Sequence, residues 1–287
     1  MALVVFSLAS WQAVLLCLLF ALIYVGSLYV WASVGNKTRD HPDVIKRRFM
    51  SVAVISVIVP LLLCCFGTES SKGETLLEWM GIRFKGFLPA LLIPLGLTMI
   101  LFTGPLTLHY MDGVFGLYLE PKYWTQSATN LVWLRNHIVA PFSEEFIFRA
   151  CMLPLLVPCF GQGLSVFLCP LFFGVAHVHH MIEKVTTGGL DVKTACKQSL
   201  FQLTYTTLFG IYSAFLFLRT GHLIAPVIAH AFCNHMGFPS FGEVMGHPQP
   251  VKHKLIASFI LGLFMWVVLF YPVTTPFLYS NYIYDSL

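Results

Sequence analysis

The chain has 287 residues, of which 57% are hydrophobic and only 10% are charged, and its mean hydropathy is +0.77. Soluble domains carry roughly a quarter charged residues, so this composition excludes an ordinary water-soluble fold and indicates a protein that is surrounded mainly by lipid. The formal net charge of +4 is modest and no nucleic-acid-binding motif accompanies it, so nucleic acid is not an expected partner.

Apolar segments long enough, or nearly long enough, to cross a bilayer follow one another along most of the chain. They lie at about 11–33, 50–66, 86–108, 131–158, 163–178, 195–218, 222–238 and 254–274. The sequence therefore predicts an all-α, polytopic integral membrane protein of about eight transmembrane helices, with no need for strands. Because no repeat, low-complexity tract or linker divides the chain, residues 1–287 are predicted to form a single membrane-embedded domain.

Basic residues are concentrated in the loop after the first predicted helix, whereas acidic and basic residues nearly cancel in the loop after the second. The basic residues of the first loop are Lys37, Arg39, Lys46, Arg47 and Arg48. Cytosolic loops of membrane proteins carry an excess of lysine and arginine. The first loop is therefore predicted to lie in the cytosol, and the N-terminus in the lumen.

Within the fourth apolar segment, the stretch 141–149 contains three ionisable residues, Glu144, Glu145 and Arg149. A charge at the centre of a membrane helix costs about 2.5–3.5 kcal/mol on insertion scales, so these charges must be compensated or functional. Glu145 and Arg149 are four residues apart and can pair, whereas Glu144 is turned about 100° away and is available for another task. The alternative is a purely structural ion pair between helices, with Glu144 reaching the membrane interface.

Two later segments carry histidine together with a second side chain on the same helix face. Phe173 and His177 have this spacing in the fifth segment, and His230 and Asn234 have it in the seventh. Polar side chains are costly in lipid unless they find partners. For each segment taken alone, an interfacial histidine or an interhelical hydrogen bond is the alternative to catalysis.

Together these side chains could form an enzyme that activates water to cleave an amide bond. Such a reaction needs a base for the water, an acid for the leaving amine, and donors that face the tetrahedral oxyanion. Glu144 and His177 suit the first two tasks, and His230 and Asn234 suit the third. The supporting residues of this predicted site are Glu145, Arg149 and Phe173.

The ordered motifs Glu144-Glu145-x-x-x-Arg149, Phe173-x-x-x-His177 and His230-x-x-x-Asn234 resemble those of the ABI/CPBP membrane-protease family. They lie within about residues 130–240, and the layout of apolar segments is similar to the eukaryotic branch of that family, the CAAX prenyl endopeptidases or Ras-converting enzymes. The resemblance implies an all-helical fold in the endoplasmic reticulum membrane. It also implies a catalytic cavity that opens to lipid and to the cytosolic side.

The resemblance further implies the activity and the partners. The expected reaction removes the C-terminal aaX tripeptide from proteins, such as Ras-type GTPases, whose CAAX cysteine carries farnesyl or geranylgeranyl. Glu144 and His177 would activate water, and His230 and Asn234 would stabilise the transition state. The expected partners are prenylated CAAX C-termini and membrane lipid, which suits a lipid-open cavity because each buried CH₂ contributes ~0.8 kcal/mol to anchoring.

Three alternatives accompany this hypothesis. A zinc protease could use Glu144, His177 and His230 as ligands, but HExxH is absent and Asn234 is a better oxyanion donor than zinc ligand, so no metal or other cofactor is expected. A proton-coupled transporter or scaffold also buries ionisable groups, although the paired halves of many transporters are not visible. Prenyl-independent proteolysis is the third alternative.

No residue is assigned to the choice between farnesyl and geranylgeranyl, and the 239–253 loop has no predicted role.

Overall fold

The structure is a computed structural model that describes residues 3–31, 38–71, 73–176, 185 and 189–284. Helices dominate it, and the all-α class predicted from the sequence is confirmed. The α-helices are α1 (Ser10–Tyr29), α2 (Pro42–Cys65), α3 (Leu76–Trp79), α4 (Phe87–Leu101), α5 (Thr103–Met111), α6 (Val114–Tyr118), α7 (Pro121–Thr129), α8 (Leu131–Leu134), α9 (Ala140–Glu145), α10 (Leu153–Ala176), α11 (Val192–Thr220), α12 (Ile224–Met236), α13 (Phe241–Gly246) and α14 (Val251–Phe270). The π-helical stretches are Arg135–Val139 and Phe146–Cys151, and the 3₁₀ turns are Pro272–Thr274 and Pro276–Tyr279.

Five of the described helices are long and apolar enough to cross a membrane, namely α1, α2, α10, α11 and α14. A sixth span results if α4 and α5, which meet at a 74° bend, form one broken span. The protein is thus a multi-pass membrane protein, as predicted, but three of the predicted segments, 86–108, 131–158 and 222–238, do not form single long helices. The 222–238 segment forms only the 13-residue α12, which at 1.5 Å per residue is about 20 Å long and shorter than the ~30 Å hydrocarbon core.

The 131–158 segment also departs from the prediction, because α8 and α9 alternate with the two π-helical stretches before α10 begins. Pro141 explains why the helix changes from α-helical to π-helical hydrogen bonding in the first of these stretches. It has no N–H to donate to the carbonyl one turn back, and the Ala140 N–H bonds to the Arg135 carbonyl, five residues earlier. Such π-bulges re-aim the side chains that follow, and they are frequent at functional sites.

Residues 145–157 are buried without interruption, so this part of the chain is the centre of the fold and has no lipid-facing side. Around it, α10 packs against α1 and α11, while α12 packs against α4, α9 and the first π-helical stretch. This arrangement encloses the Glu145 and Arg149 side chains completely within the protein.

The longest described helix, α11, is defined at both ends by its sequence. The Asp191 carboxylate accepts the Thr194 N–H at 2.8 Å and caps the N-terminus. Gly221 ends the helix in the left-handed conformation, with φ of 64°, which glycine adopts without steric cost. These signals position the middle of α11, which contributes side chains to the candidate site.

A small antiparallel sheet corrects the expectation that no strands are needed. Strand β1 (Leu3–Phe6) lies between β2 (Gly67–Glu69) and β3 (Glu74–Thr75). Gly73 permits the close approach of this sheet, because a Cβ there would lie 2.5 Å from the Val4 carbonyl oxygen. That oxygen also accepts the Trp79 indole N–H at 2.9 Å. The sheet therefore ties the chain before α1 to the connection between α2 and α4.

Candidate active site

The Glu145 and Arg149 side chains are completely buried, with Arg149 Nε 3.2 Å from Glu145 Oε2. The ion pair predicted from their spacing is therefore formed. The Arg149 guanidinium carbon also lies 4.5 Å from the centroid of the Phe173 ring, a cation–π contact worth about 2 kcal/mol when it is desolvated. Since no guanidinium nitrogen of Arg149 has a hydrogen-bond partner among the described residues, the carboxylate and the ring are what compensate its charge.

Glu145 is also the acceptor for two side chains from other helices. The Nδ1 of His230 lies 2.7 Å from Glu145 Oε1, and the Ser213 hydroxyl donates to Oε2. Ser213, from α11, was missed by the sequence analysis because a lone serine in an apolar helix gives no distinctive signal. With these three partners the buried carboxylate has both oxygens engaged, which reduces the cost of its burial.

The bond to Glu145 also orients the His230 imidazole. Because a carboxylate only accepts hydrogen bonds, Nδ1 is the donor and Nε2 faces the opposite direction. There, Nε2 lies 3.8 Å from Glu144 Oε2. The Phe209 and Phe173 rings flank the imidazole, with centroids 4.7 and 6.3 Å from its own. The structure therefore brings His230 and Glu144 together, through an orienting contact to Glu145 that the sequence motifs did not reveal.

Asn234 is exposed on the same helix as His230, and it already has one partner. Its Nδ2 donates to the backbone carbonyl of Asn136 at 2.9 Å. Within the helix this carbonyl would accept from residue 140 or 141. The Ala140 N–H instead donates to the Arg135 carbonyl, and Pro141 has no N–H. One amide hydrogen of Asn234 is thus committed to Asn136, and the predicted role of Asn234 as an oxyanion donor would use the second.

His177 lies outside the described residues, and so does the geometry of its predicted motif with Phe173. The described part of α10 ends at Ala176. Phe173 itself is buried and contacts both Arg149 and His230 through its ring. The support predicted for Phe173 therefore has a physical basis, whereas the role of His177 stays a prediction from the sequence.

A cavity of about 1220 Å³ lies in front of Glu144, His230 and Asn234. Glu144 and His230 keep 19% and 8% of their side chains exposed. Most of the remaining wall comes from α11, α12, α14 and the segment after α12. Its large apolar side chains are Leu101, Phe102, Phe201, Leu208, Phe209, Ile211, Phe238, Trp266 and Phe270. The cavity thus combines a long apolar surface with a few convergent polar groups, as expected of a site for an apolar ligand.

A second cavity, of about 130 Å³, is also lined by Glu144. Its wall includes three arginines, Arg39, Arg48 and Arg135. The residues that line both cavities are Arg39, Asn136, Ala140, Glu144 and Phe173. Glu144 therefore lies at the junction of the large apolar cavity and a smaller cavity whose wall includes three arginines.

No group of three or more His, Cys, Asp or Glu side chains within the described residues has a geometry that could hold a metal ion. Glu144 and His230 are close to one another, but Nδ1 of His230 is engaged by Glu145. The third ligand of the zinc alternative, His177, lies outside the described residues.

Comparison with known proteins gives consistent results. The family model described as Type II CAAX prenyl endopeptidase Rce1-like matches residues 126–236. The CAAX prenyl protease 2 of Homo sapiens is 48% identical over 282 residues, which cover 96% of this chain and 84% of that protein. The proteins of the same name from Rattus norvegicus and Arabidopsis thaliana are 44% and 33% identical, over 96% and 94% of this chain and 83% and 91% of theirs. No solved structure matches the chain significantly.

Proposed function

The chain belongs to the type II CAAX prenyl endopeptidase family, and we propose that, as a single membrane-embedded protease domain, it releases the C-terminal aaX tripeptide from prenylated CAAX proteins. The observation that carries this proposal is the position of Glu144, which lies at the wall of a large apolar cavity and 3.8 Å from His230. A prenyl group is apolar, and the peptide that follows its cysteine is polar. Glu144 lies where surfaces suited to these two parts meet.

In the proposed mechanism, Glu144 takes a proton from a water molecule in the cavity as that water attacks the peptide carbonyl. His177, four residues after Phe173 in the sequence, is proposed to assist Glu144 and to protonate the leaving amine. His230 and the second amide hydrogen of Asn234 are proposed to stabilise the oxyanion. For His230 this requires a proton on Nε2 as well as on Nδ1, and the Glu145 carboxylate orients the imidazole as an aspartate does in a catalytic triad.

The apolar wall of the large cavity supports a prenylated substrate. Each CH₂ that moves from water into an apolar site contributes about 0.8 kcal/mol, so a farnesyl or geranylgeranyl chain would supply much of the binding free energy. The peptide would then be held at membrane depth by its own lipid anchor.

We place the protein in the endoplasmic reticulum membrane, with the site facing the cytosol. The localisation rests on the family resemblance. The orientation is supported by Arg39, which belongs to the basic first loop and lines both cavities. Because basic loops stay on the cytosolic side, a site next to this loop would open towards the cytosolic proteins that carry CAAX motifs.

The direct test uses purified full-length protein in liposomes and two CAAX peptides that differ only in prenylation. We expect cleavage after the prenylated cysteine, seen by mass spectrometry as release of aaX, and a kcat/KM at least ~100-fold lower without the prenyl group, which corresponds to roughly three or four buried CH₂ groups. Equal cleavage of both peptides would support prenyl-independent proteolysis. Solute movement without cleavage of either peptide would support a transporter.

The metal question needs its own experiment. We propose that the reaction uses no metal, because Asn234 suits an oxyanion better than zinc. The prenylated peptide should therefore be cleaved at an unchanged rate after exhaustive chelation of a sample whose metal content has been measured. Loss of cleavage that returns on addition of Zn²⁺, but not of Mg²⁺, would instead establish the zinc alternative.

A further inference from the structure

The cavity of about 130 Å³ beside Glu144, which we call the arginine chamber, has no role in the mechanism proposed above. Its basic side chains come from different parts of the chain. Arg39 precedes α2, Arg48 belongs to the second turn of α2, and Arg135 opens the first π-helical stretch. Their convergence on one small cavity next to a candidate catalytic residue suggests that they bind an anion.

Two of these arginines are held in place by neighbouring groups. The Arg135 side chain is only 14% exposed. It donates from Nε to Asn136 Oδ1 at 3.0 Å, and from Nη1 to Asp40 Oδ1 at 2.8 Å. The Arg48 guanidinium carbon lies 6.0 Å from the centroid of the Tyr29 ring. Arginines that are already oriented lose less conformational entropy when they bind a ligand, which suits them to a recognition site.

Acidic side chains are fewer than arginines around the chamber in the part of the chain that the structure describes. Among the described lining residues Glu144 is the acidic one, and Asp40 lies beside Arg135 and Arg39, at 2.8 and 3.9 Å. The hydrogen bond from Arg135 lowers the pKa of Asp40, so Asp40 is ionised at neutral pH. The described wall of the chamber thus carries three guanidinium groups and one carboxylate, with Asp40 beside it, and this composition favours an anionic ligand.

The proposed substrate brings such a group. An aaX tripeptide ends in a free α-carboxylate, and three extended residues span about 10 Å. When the bond to be cleaved lies at Glu144, the carboxylate therefore lies about 10 Å away, in a site near the glutamate. Building on the proposed function, we propose that the arginine chamber binds the C-terminal carboxylate of the substrate, while the prenyl group lies in the large cavity that Glu144 also lines. Arginine suits this task because its planar guanidinium can bind a carboxylate through two parallel hydrogen bonds.

This arrangement accounts for the length of the released peptide. The prenyl group is fixed at one end and the carboxylate at the other, so only a chain of matching length places its first peptide bond at Glu144. A substrate that continues beyond the aaX residues, or whose carboxylate is blocked, loses one of its two anchors. The chamber therefore makes the enzyme selective for the end of a protein chain.

The test compares two prenylated peptides that are identical except for a C-terminal carboxylate or a C-terminal amide. With wild-type protein in liposomes, we expect kcat/KM to be about 10- to 100-fold higher for the carboxylate, the effect of a charge-assisted hydrogen bond. Arg48→Gln should lower kcat/KM for the carboxylate peptide about 10-fold and have a much smaller effect on the amide peptide. Lys46→Gln is the matched control, because Lys46 lies exposed on the same helix outside the chamber, and it should leave the preference unchanged.

Arg39→Gln provides a second variant if Arg48→Gln folds poorly, because half of the Arg39 side chain is exposed. Equal cleavage of the carboxylate and amide peptides by the wild type would overturn the chamber's role and leave the proposed function standing. An equal loss on both peptides in both arginine variants would show a purely structural role and would also overturn it. Failure of the wild type to cleave either peptide would contradict the proposed function itself, and with it this proposal.

Discussion

Two regions of the molecule, a buried polar cluster and an open cavity, meet at the peptide bond between Glu144 and Glu145. On the buried side, Glu145 is completely enclosed and is bound by Arg149, His230 and Ser213. On the open side, Glu144 keeps 19% of its side chain exposed and lines both cavities. The same residue type, at adjacent positions, thus occupies two very different environments.

The two environments indicate different roles, with Glu145 contributing to the stability of the fold and Glu144 proposed to act in the reaction. A buried carboxylate whose partners all come from the protein contributes to the fold, and removal of one partner leaves an uncompensated charge. A carboxylate at a cavity wall can reach water and substrate, and its neutral isostere leaves the packing nearly unchanged. Substitutions on the two sides should therefore change different measured quantities.

The largest effect is expected from Glu144→Gln. The amide keeps the shape of the side chain but cannot accept a proton, so cleavage of a prenylated CAAX peptide should fall by about 10²–10⁴-fold. The melting temperature should stay close to that of the wild type, because no buried charge is created. Glu120→Gln, at an exposed position, is the control and should leave cleavage unchanged. A Glu144→Gln variant with nearly full activity would remove Glu144 from the mechanism.

The second effect concerns the buried side. Arg149→Met leaves Glu145 without its counterion and should lower the free energy of unfolding by about 3–5 kcal/mol, measured by denaturant titration in detergent. The double variant Arg149→Met/Glu145→Gln removes both charges, so it should recover most of that loss. Its peptide cleavage should nevertheless stay low, because Nδ1 of His230 no longer faces the carboxylate that orients the imidazole. If the single variant were as stable as the wild type, the ion pair would not be what compensates these charges.

The sequence predicted those features of the fold and site that depend on composition and regular spacing. Continuous apolar segments indicated the helical membrane fold, and the spacing of Glu145 and Arg149 predicted their ion pair, which is formed. The spacing of His230 and Asn234 placed both on one helix, and both line the large cavity. The catalytic roles assigned to Glu144, His230 and Asn234 stay predictions until the variants are measured.

What the sequence did not predict depends on irregular backbone and on contacts between distant segments. The period of 3.6 residues assumes a regular α-helix, whereas the chain widens to π-helix on both sides of α9. The contact of Asn234 with the Asn136 carbonyl follows from the missing N–H of Pro141, a signal that was present in the sequence but has meaning only once the two helices are known to meet. Strand β1 has only four residues, too few for alternation to be recognised.

The smallest effect is expected from Ser213→Ala, which removes one hydrogen bond to Glu145 and leaves Arg149 and His230 in place. A hydrogen bond to a charged group is worth about 1.5–3 kcal/mol, so the free energy of unfolding should fall by that amount, with at most a few-fold loss of kcat. Ser199→Ala is the matched control on the same helix, because the buried Ser199 hydroxyl has no partner among the described residues. Equal stability of the two variants would show that Arg149 and His230 alone satisfy Glu145. A large loss of kcat with little loss of stability would instead show that the buried cluster acts in catalysis through His230. The buried cluster around Glu145 and the open cavity at Glu144 would then not be energetically separate.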